Sequence, residues 1–145
     1  MTIRMRVRRL WESITEPRHL KVAYFVIYLL TIGVGVVTAT NPPQSIEGPL
    51  GPILTAIWSG LFIVGGVVGA ITVLPGWWWV ERLLGLAPIL MGLAIYLSVA
   101  ATLHWHNIDT GSSRLTQIGI ILLASAPFTL RGLLIRDYSY EPRRG

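Results

Sequence analysis

Two histidines and an aspartate form the set of side chains that comes closest to a chemical site. His104, His106 and Asp109 lie near one another in a short polar stretch. Residues two positions apart on a helix point in different directions, so the two histidines could share one ion only on an extended segment. A closed zinc site also requires four ligands. We therefore assign no metal-ligating residues. The sequence leaves open whether His104 and His106 nevertheless bind a metal or sense external pH.

Other residue types that catalyse reactions are absent or isolated. The chain has no cysteine, which excludes thiolate, disulfide and iron–sulfur chemistry. Ser59, Ser98 and Ser125 lie in apolar stretches, without a histidine or aspartate that could activate a serine hydroxyl. The clustered glycines are not followed by the Lys-Ser or Lys-Thr pair of a phosphate-binding loop. We predict that the protein is not an enzyme, with no catalytic residue, no cofactor-binding residue and no cofactor.

Composition places the chain in a membrane. Of its 145 residues, 52% are hydrophobic and 13% are charged, against about 25% charged residues in a soluble domain. The apolar residues form four runs bounded by proline, glycine and polar residues. A bilayer core of about 30 Å requires roughly 20 helical residues, and backbone groups in lipid must be satisfied within the segment. The runs predict transmembrane helices over residues 22–39, 53–74, 83–103 and 115–135.

The predicted fold is all-α, an integral membrane protein whose four helices form an up-down bundle in a single domain, residues 1–145. The fourth helix reaches full length only if Arg131 snorkels to the membrane surface. The sequence Gly-Pro-Leu-Gly-Pro over residues 48–52 predicts a rigid turn before the second helix. Pro88 and Pro127 predict kinks in the third and fourth helices.

The two ends of the chain are basic. Residues 1–21 form a basic segment, and its first 14 residues have the apolar spacing of a short amphipathic helix that lies on the cytoplasmic leaflet. A basic flank that only orients the chain is the alternative. Residues 136–145 are predicted to form a cytoplasmic tail.

Acidic residues decide whether ion-coupled transport is plausible, because such transport normally needs an ionisable group within a span. All seven acidic residues are predicted to lie outside the four spans: Glu12, Glu16, Glu47, Glu81, Asp109, Asp137 and Glu141. The sequence therefore disfavours a small transporter or channel subunit.

Basic residues predict the orientation. Eleven of the twelve lie before the first helix, in the second loop or from the end of the fourth helix onward: Arg4, Arg6, Arg8, Arg9, Arg18, Lys21, Arg82, Arg131, Arg136, Arg143 and Arg144. Arg114 alone falls in the first or third loop. The positive-inside rule places both termini in the cytoplasm and the protein in the bacterial cytoplasmic membrane. The same rule explains the basic pI, so we predict no nucleic-acid partner.

Tryptophans agree with this topology. Five are predicted to anchor the helix ends at the membrane interface, where indole rings are enriched: Trp11, Trp77, Trp78, Trp79 and Trp105. Trp58 lies about one turn inside the second helix.

Small residues give the second helix a surface that a neighbour can approach closely. The residues concerned are Gly60, Gly65, Gly66 and Gly69, and Gly65 and Gly69 form a GxxxG pair. One interpretation is a self-association face that makes a homo-oligomer. The other is packing within the four-helix bundle.

Six motifs run through the chain: Pro17-Arg18-His19-Leu20-Lys21, the stretch 46–52 (IEGPLGP), the stretch 72–79 (TVLPGWWW), Glu81-Arg82, the stretch 114–117 (RLTQ) and the ending 142–145 (PRRG). Together they resemble small four-span membrane proteins encoded by bacteriophages of actinobacteria, especially mycobacteriophages. The resemblance covers nearly the whole chain. It implies a protein of the host membrane without established catalytic residues, with a role in lysis or in excluding other phages.

Three functions remain. The first is a holin-like protein that permeabilises the membrane by self-association, which small size, basic ends and a glycine-lined helix favour. The second is a membrane interaction protein that blocks superinfection or anchors a partner, whose identity the sequence does not reveal. The third is a small transporter or channel subunit. In all three cases the lipid bilayer is a partner of the protein.

Overall fold

The computed structural model of the protein describes residues 18–42, 44–106 and 114–140. Within these ranges the secondary structure is helical and contains no strand, which confirms the all-α prediction. The predicted amphipathic helix over residues 1–14 lies outside the described residues. Seven of the residues predicted to anchor or orient the chain also lie outside the described residues: Arg4, Arg6, Arg8, Arg9, Trp11, Arg143 and Arg144.

Four helices follow one another along the chain: α1 (Arg18–Thr40), α2 (Gln44–Val73), α3 (Trp78–His106) and α4 (Leu115–Tyr140). Each contains a stretch that is long and apolar enough to cross a membrane. The stretches are His19–Thr40, Gly51–Val73, Trp78–His106 and Leu115–Arg136. The chain is therefore an integral membrane protein of the four-span type that its composition predicts.

A break at Gly51 divides α2. Gly51 has a φ of +74° and a ψ of 169°, a conformation open to glycine because it has no Cβ. Pro52 follows, and a proline disfavours the α conformation in the residue before it. The rigid turn predicted over residues 48–52 is therefore wrong in extent, because residues 44–50 are helical and the departure from helical geometry occurs at Gly51.

A tight turn connects α2 to α3. The backbone amides of Gly76 and Trp77 both donate to the carbonyl of Thr72, at 3.0 and 3.1 Å. Gly76 has a φ of +80°, so a Cβ at this position would be strained. The turn brings the start of α3 back against the end of α2.

The helix α3 begins at Trp78, five residues before the predicted start, so Glu81 belongs to it. Its segment Glu81–Leu86 is π-helical, and the amide of Ala87 donates to the carbonyl of Arg82. Pro88 gives the physical reason, because a proline ring crowds the carbonyl four residues earlier in regular α geometry. The irregularity that Pro88 predicts takes the form of this wider turn.

The helices pack in chain order. α1 lies against α2, α2 against α3 and α3 against α4, whereas the backbones of α1 and α4 are not closely packed over the described residues. The backbones of α2 and α3 come close where two glycines face each other, since a Cβ at Gly85 would lie 3.1 Å from the Cα of Gly69. The bundle is therefore closed along three seams and loosely joined along the fourth.

Candidate functional site

A buried ion pair joins α3 to α4. Arg131 donates two hydrogen bonds to the carboxylate of Glu81, from Nε to Oε1 at 2.7 Å and from Nη2 to Oε2 at 2.8 Å. Glu81 is 0% exposed and Arg131 is 4% exposed, and both lie within candidate membrane spans. Bidentate geometry lets both groups stay charged in an apolar setting, because each charge compensates the other.

Two tyrosines of α1 complete this arrangement. The hydroxyl of Tyr28 donates to Oε1 of Glu81 at 2.9 Å. The guanidinium of Arg131 lies 5.0 Å from the ring centroid of Tyr24, and the hydroxyl of Tyr24 donates to the carbonyl of Pro127 at 3.1 Å. These contacts join α1, α3 and α4. We call Tyr24, Tyr28, Glu81 and Arg131 the charged cluster.

Lys21 lies at the same end of the bundle. It is a buried residue of α1, and its Nζ donates to the carbonyl of Leu74, just beyond the end of α2, at 3.4 Å. A cation near the carboxyl end of a helix interacts favourably with the helix dipole. The sequence treats Lys21 as part of a basic flank, whereas the structure gives it a contact between two helices.

Two sequence expectations are wrong at this site. Glu81 is predicted to lie outside the spans, but it is inside α3 because that helix begins at Trp78. Arg131 is predicted to snorkel outward, but it points inward because Glu81 offers a carboxylate in the protein interior. The premise that the spans lack acidic groups therefore fails.

A signal for this pair exists in the sequence. An arginine within an apolar run requires a partner of opposite charge. Arg131 lies within such a run, and Glu81 adjoins another run on the same predicted side of the membrane. The rule predicts an inward-facing Arg131 with an acidic partner, and the structure shows that this partner is Glu81.

The charged cluster is suited to holding helices together. Both oxygens of the Glu81 carboxylate accept hydrogen bonds from Arg131 or Tyr28, and the cluster is buried. A general acid or base must come within hydrogen-bond reach of a substrate. Over the described residues, no three His, Asp or Glu side chains gather as metal ligands. The geometry of the cluster therefore favours a structural role.

An apolar cavity of about 480 Å³ lies between α1 and α4. Its walls come from all four helices: Ile27, Leu30, Thr31, Val34, Thr38, Trp58, Phe62, Ile89, Leu93, Tyr96, Ile120, Ile121, Ala124, Pro127 and Phe128. The backbones of α1 and α4 are not closely packed over the described residues, and the lining residues Leu30, Val34 and Ile120 are exposed, so the cavity opens sideways between these two helices. We call the cavity together with its opening the α1–α4 seam.

Packed aromatic rings form two walls of the cavity. Trp58 packs edge-on against Phe62 and Tyr96, with ring centroids 5.4 and 5.3 Å apart, and its Nε1 donates to the carbonyl of Gly92 at 2.7 Å. Toward the charged cluster, the rings of Tyr28 and Phe128 approach to 6.2 Å. These contacts fix the inner wall of the seam and separate the cavity from the ion pair.

A second cavity of about 430 Å³ adjoins the first at the end of the bundle away from the charged cluster. Its lining consists of Tyr96, Arg114, Thr116, Gln117, Ile120 and Ile121, of which Tyr96, Ile120 and Ile121 also line the first cavity. Gln117 donates from Nε2 to the hydroxyl of Tyr96 at 2.7 Å, and Arg114 donates from Nη1 to Oε1 of Gln117 at 3.4 Å. Within the part of the chain that the structure describes, the buried Nε of Arg114 has no hydrogen-bond partner.

The glycines predicted for helix packing differ in their surroundings. A Cβ at Gly65 would lie 2.7 Å from the carbonyl oxygen of Gly85 on α3, and one at Gly66 would lie 3.0 Å from the carbonyl oxygen of Tyr28 on α1. A Cβ at Gly69 would overlap the ring of Tyr28, whereas Gly60 has open space beside it. Packing within the bundle thus accounts for the surroundings of Gly65, Gly66 and Gly69, and the self-association face stays a prediction.

The remaining predicted residues lie at helix ends. Trp77, Trp79 and Trp105 are well exposed, as interface anchors would be, and that role stays a prediction. The same holds for Trp78, which is 37% exposed.

The two histidines near the end of α3 make separate hydrogen bonds. The Nδ1 of His104 accepts from the amide of Arg114 at 3.4 Å, and the Nδ1 of His106 pairs with the carbonyl of Thr102 at 2.9 Å. Each histidine thus has its own hydrogen-bond partner, and neither hydrogen bond joins the two histidines. Asp109, the third member of the predicted set, lies outside the described residues.

The chain is similar to part of a longer curated protein. The chain is 30% identical over 136 residues to a protein of Alteromonas naphthalenivorans described as a probable peptidoglycan glycosyltransferase FtsW. The match covers 88% of this chain and 26% of that protein, so the chain spans about a quarter of the length of the curated relative it matches. No family model matches the chain, and no solved structure matches it.

Proposed function

We propose that the protein is a membrane interaction protein of the bacterial cytoplasmic membrane. It acts by binding another membrane component at the α1–α4 seam, and it catalyses no reaction of its own. The observation that carries this proposal is the open apolar seam beside a cluster whose charges are paired. The described polar groups of the cluster stabilise the bundle, whereas the seam is left for a partner.

The similarity to part of a peptidoglycan glycosyltransferase supports a place for this interaction at the cell envelope. A chain that resembles one stretch of a larger enzyme can take up the contacts that this stretch makes with the rest of the enzyme. Anchoring a partner and blocking a superinfecting phage are two outcomes that such binding would produce.

A holin-like role by self-association is the second candidate. The observation in its favour is the same seam, because a second copy could fill it, and basic ends could hold an assembly against anionic lipid. The GxxxG glycines give this role less support, since Gly65 and Gly69 contact α3 and α1 of their own chain. The walls of the seam are apolar, so an aqueous pore would have to form between subunits.

Photocrosslinking in living cells tests the proposal. Leu30 and Leu29 are both exposed leucines of α1, but Leu30 lines the seam and Leu29 does not. We expect a benzophenone amino acid at position 30 to give a crosslinked product that the same group at position 29 does not give. A product of twice the chain mass, together with abrupt depolarisation of the membrane, would favour the holin-like role. Equal products at both positions, or none at either with confirmed membrane expression, would contradict binding at the seam.

Orientation is part of the proposal and has its own test. Because the chain has no cysteine, single cysteines can replace Ser45, Ser112 and Ser139. With both termini in the cytoplasm, a membrane-impermeant thiol reagent should label positions 45 and 112 in intact cells and leave position 139 unlabelled. Labelling of position 139 without the other two would reverse the orientation.

A further inference from the structure

We propose that the α1–α4 seam binds an anionic phospholipid. One hydrocarbon chain of the lipid lies in the apolar cavity, and the headgroup phosphate binds the guanidinium of Arg114. This inference rests on the proposed function and names the chemical class of the ligand.

The cavity suits a hydrocarbon chain. Its volume of about 480 Å³ lies within the range of about 300–1,000 Å³ found for ligand sites. The hydroxyl of Thr31 on its wall donates to the carbonyl of Ile27 in the same helix at 2.8 Å, so this hydroxyl is not left for a polar ligand. Because the cavity opens sideways within the spans, the material at its mouth is the hydrocarbon of the bilayer.

Arg114 suits an anion. Its Nε is buried and has no hydrogen-bond partner among the described residues, and a buried polar atom that lacks a partner is costly in a folded protein. Its Nη1 is held by Oε1 of Gln117 at 3.4 Å, which positions the guanidinium beside the second cavity. A guanidinium binds phosphate oxygens through paired N–H groups. Arg114 is partly exposed and lines the second cavity, so the accessible part of its guanidinium can bind a phosphate there.

The two parts of the site are continuous. Tyr96, Ile120 and Ile121 line both the apolar cavity and the cavity that contains Arg114. Arg114 precedes the α4 span, which begins at Leu115, and therefore lies where a lipid headgroup meets the hydrocarbon core. A ligand that fills both parts must have an anionic end and an apolar chain, which is the chemistry of an anionic phospholipid.

Native mass spectrometry of the purified full chain tests this inference. The protein is released from detergent after incubation with phosphatidylglycerol or phosphatidylcholine of identical acyl chains. Arg114→Gln removes the cationic group, and Ala124→Phe fills the cavity from its exposed mouth. Matched controls are Arg82→Gln, at an exposed arginine toward the other end, and Ala126→Phe, at an exposed alanine of α4 that does not line the cavity. Circular dichroism confirms that each variant is helical.

We expect the wild-type chain to retain one phosphatidylglycerol and to prefer it over phosphatidylcholine by about tenfold, as a charge-assisted contact would give. Arg114→Gln should abolish the preference, and Ala124→Phe should reduce retention of both lipids. Neither control should change either property. Equal retention of the two lipids by the wild type, or equal retention by Ala124→Phe and Ala126→Phe, would overturn the inference.

Other occupants give different results, and each would overturn the lipid assignment. Displacement of the bound species by inorganic phosphate would indicate an anion site without a chain site. A lipid-free species of twice the chain mass, lost in Ala124→Phe, would assign the seam to a second copy. Lipid retention without any crosslink to a protein at position 30 in cells would contradict a protein partner at the seam and leave the lipid site intact. A protein crosslink at position 30 without lipid retention would do the reverse.

Discussion

The two ends of the bundle are built differently. At the Arg131 end, α1, α3 and α4 are joined by a bidentate ion pair, a hydrogen bond from Tyr28 and a contact of the guanidinium with Tyr24. Toward Arg114, α1 and α4 flank a cavity, and the Nε of Arg114 has no hydrogen-bond partner among the described residues. Charged residues occur at both ends, but only the first end pairs them within the described chain.

This difference indicates that one end of the bundle stabilises the fold and the other is available for binding. A charge inside a membrane protein is costly unless it is compensated, and Glu81 and Arg131 compensate each other, so this pair explains the shape of the bundle. An open seam and a buried donor without a partner do not stabilise the described fold. They therefore mark the part of the molecule where binding of another component would add most to the stability of the assembly.

The largest expected effect comes from breaking the ion pair. Glu81→Leu or Arg131→Met leaves one buried charge alone, so we expect the free energy of unfolding to fall by about 3–5 kcal/mol. The double variant Glu81→Leu/Arg131→Met should recover most of this loss, because neither charge remains. Unfolding of the detergent-solubilised protein in sodium dodecyl sulfate, followed by tryptophan fluorescence, measures both values.

Arg82→Gln is the control for the ion pair, since Arg82 is exposed beside Glu81 and should change stability little. A double variant that is no more stable than either single variant would show that the two side chains do not act as a pair.

A smaller loss is expected from overpacking the contact between α1 and α2. Gly69→Leu places a side chain where the ring of Tyr28 lies, which should cost about 1–3 kcal/mol. Gly65→Leu should behave similarly because the backbone of Gly85 lies opposite. Val67→Leu is the matched change on the exposed side of the same helix and should be milder. Equal tolerance in the same detergent unfolding assay would mean that these glycines do not pack against α1 and α3.

Removing one hydrogen bond of the cluster should have a weaker effect. Tyr28→Phe deletes the hydroxyl that donates to Glu81 and keeps the ring that packs on Phe128. We expect a loss of about 1 kcal/mol, as for hydrogen bonds between membrane helices. In the Glu81→Leu background the same substitution should cost less, since its acceptor is gone. An undiminished cost there would show that the hydroxyl of Tyr28 stabilises the protein through a contact other than Glu81.

The smallest effect on stability is expected at the seam. Ala124→Phe adds an aromatic ring at an exposed position that lines the cavity, and we expect the free energy of unfolding to change by less than about 0.5 kcal/mol. The same variant should lose ligand retention. If it instead destabilised the protein as strongly as Gly69→Leu, the seam would be part of the packed core and the contrast between the two ends would fail.

The sequence by itself determined the four apolar helices, because a run of about 20 apolar residues in lipid must satisfy its backbone hydrogen bonds as a helix. Pro88 also predicted where the geometry of α3 would be irregular, since a proline removes a donor and crowds the preceding turn. The kink expected at Pro127 stays a prediction. These are local effects, so they can be read from neighbouring residues. They indicated a membrane protein without indicating where its charged side chains would point.

Only the tertiary structure decided that Glu81 and Arg131 meet and that Gly69 faces Tyr28. Each contact joins residues far apart in the chain, and it depends on how the helices are rotated about their axes. The same rotations leave α1 and α4 apart at the cavity, next to Arg114. Hydrophobic length does not specify rotation in a helix that is apolar on all sides, because no amphipathic face marks which side turns inward.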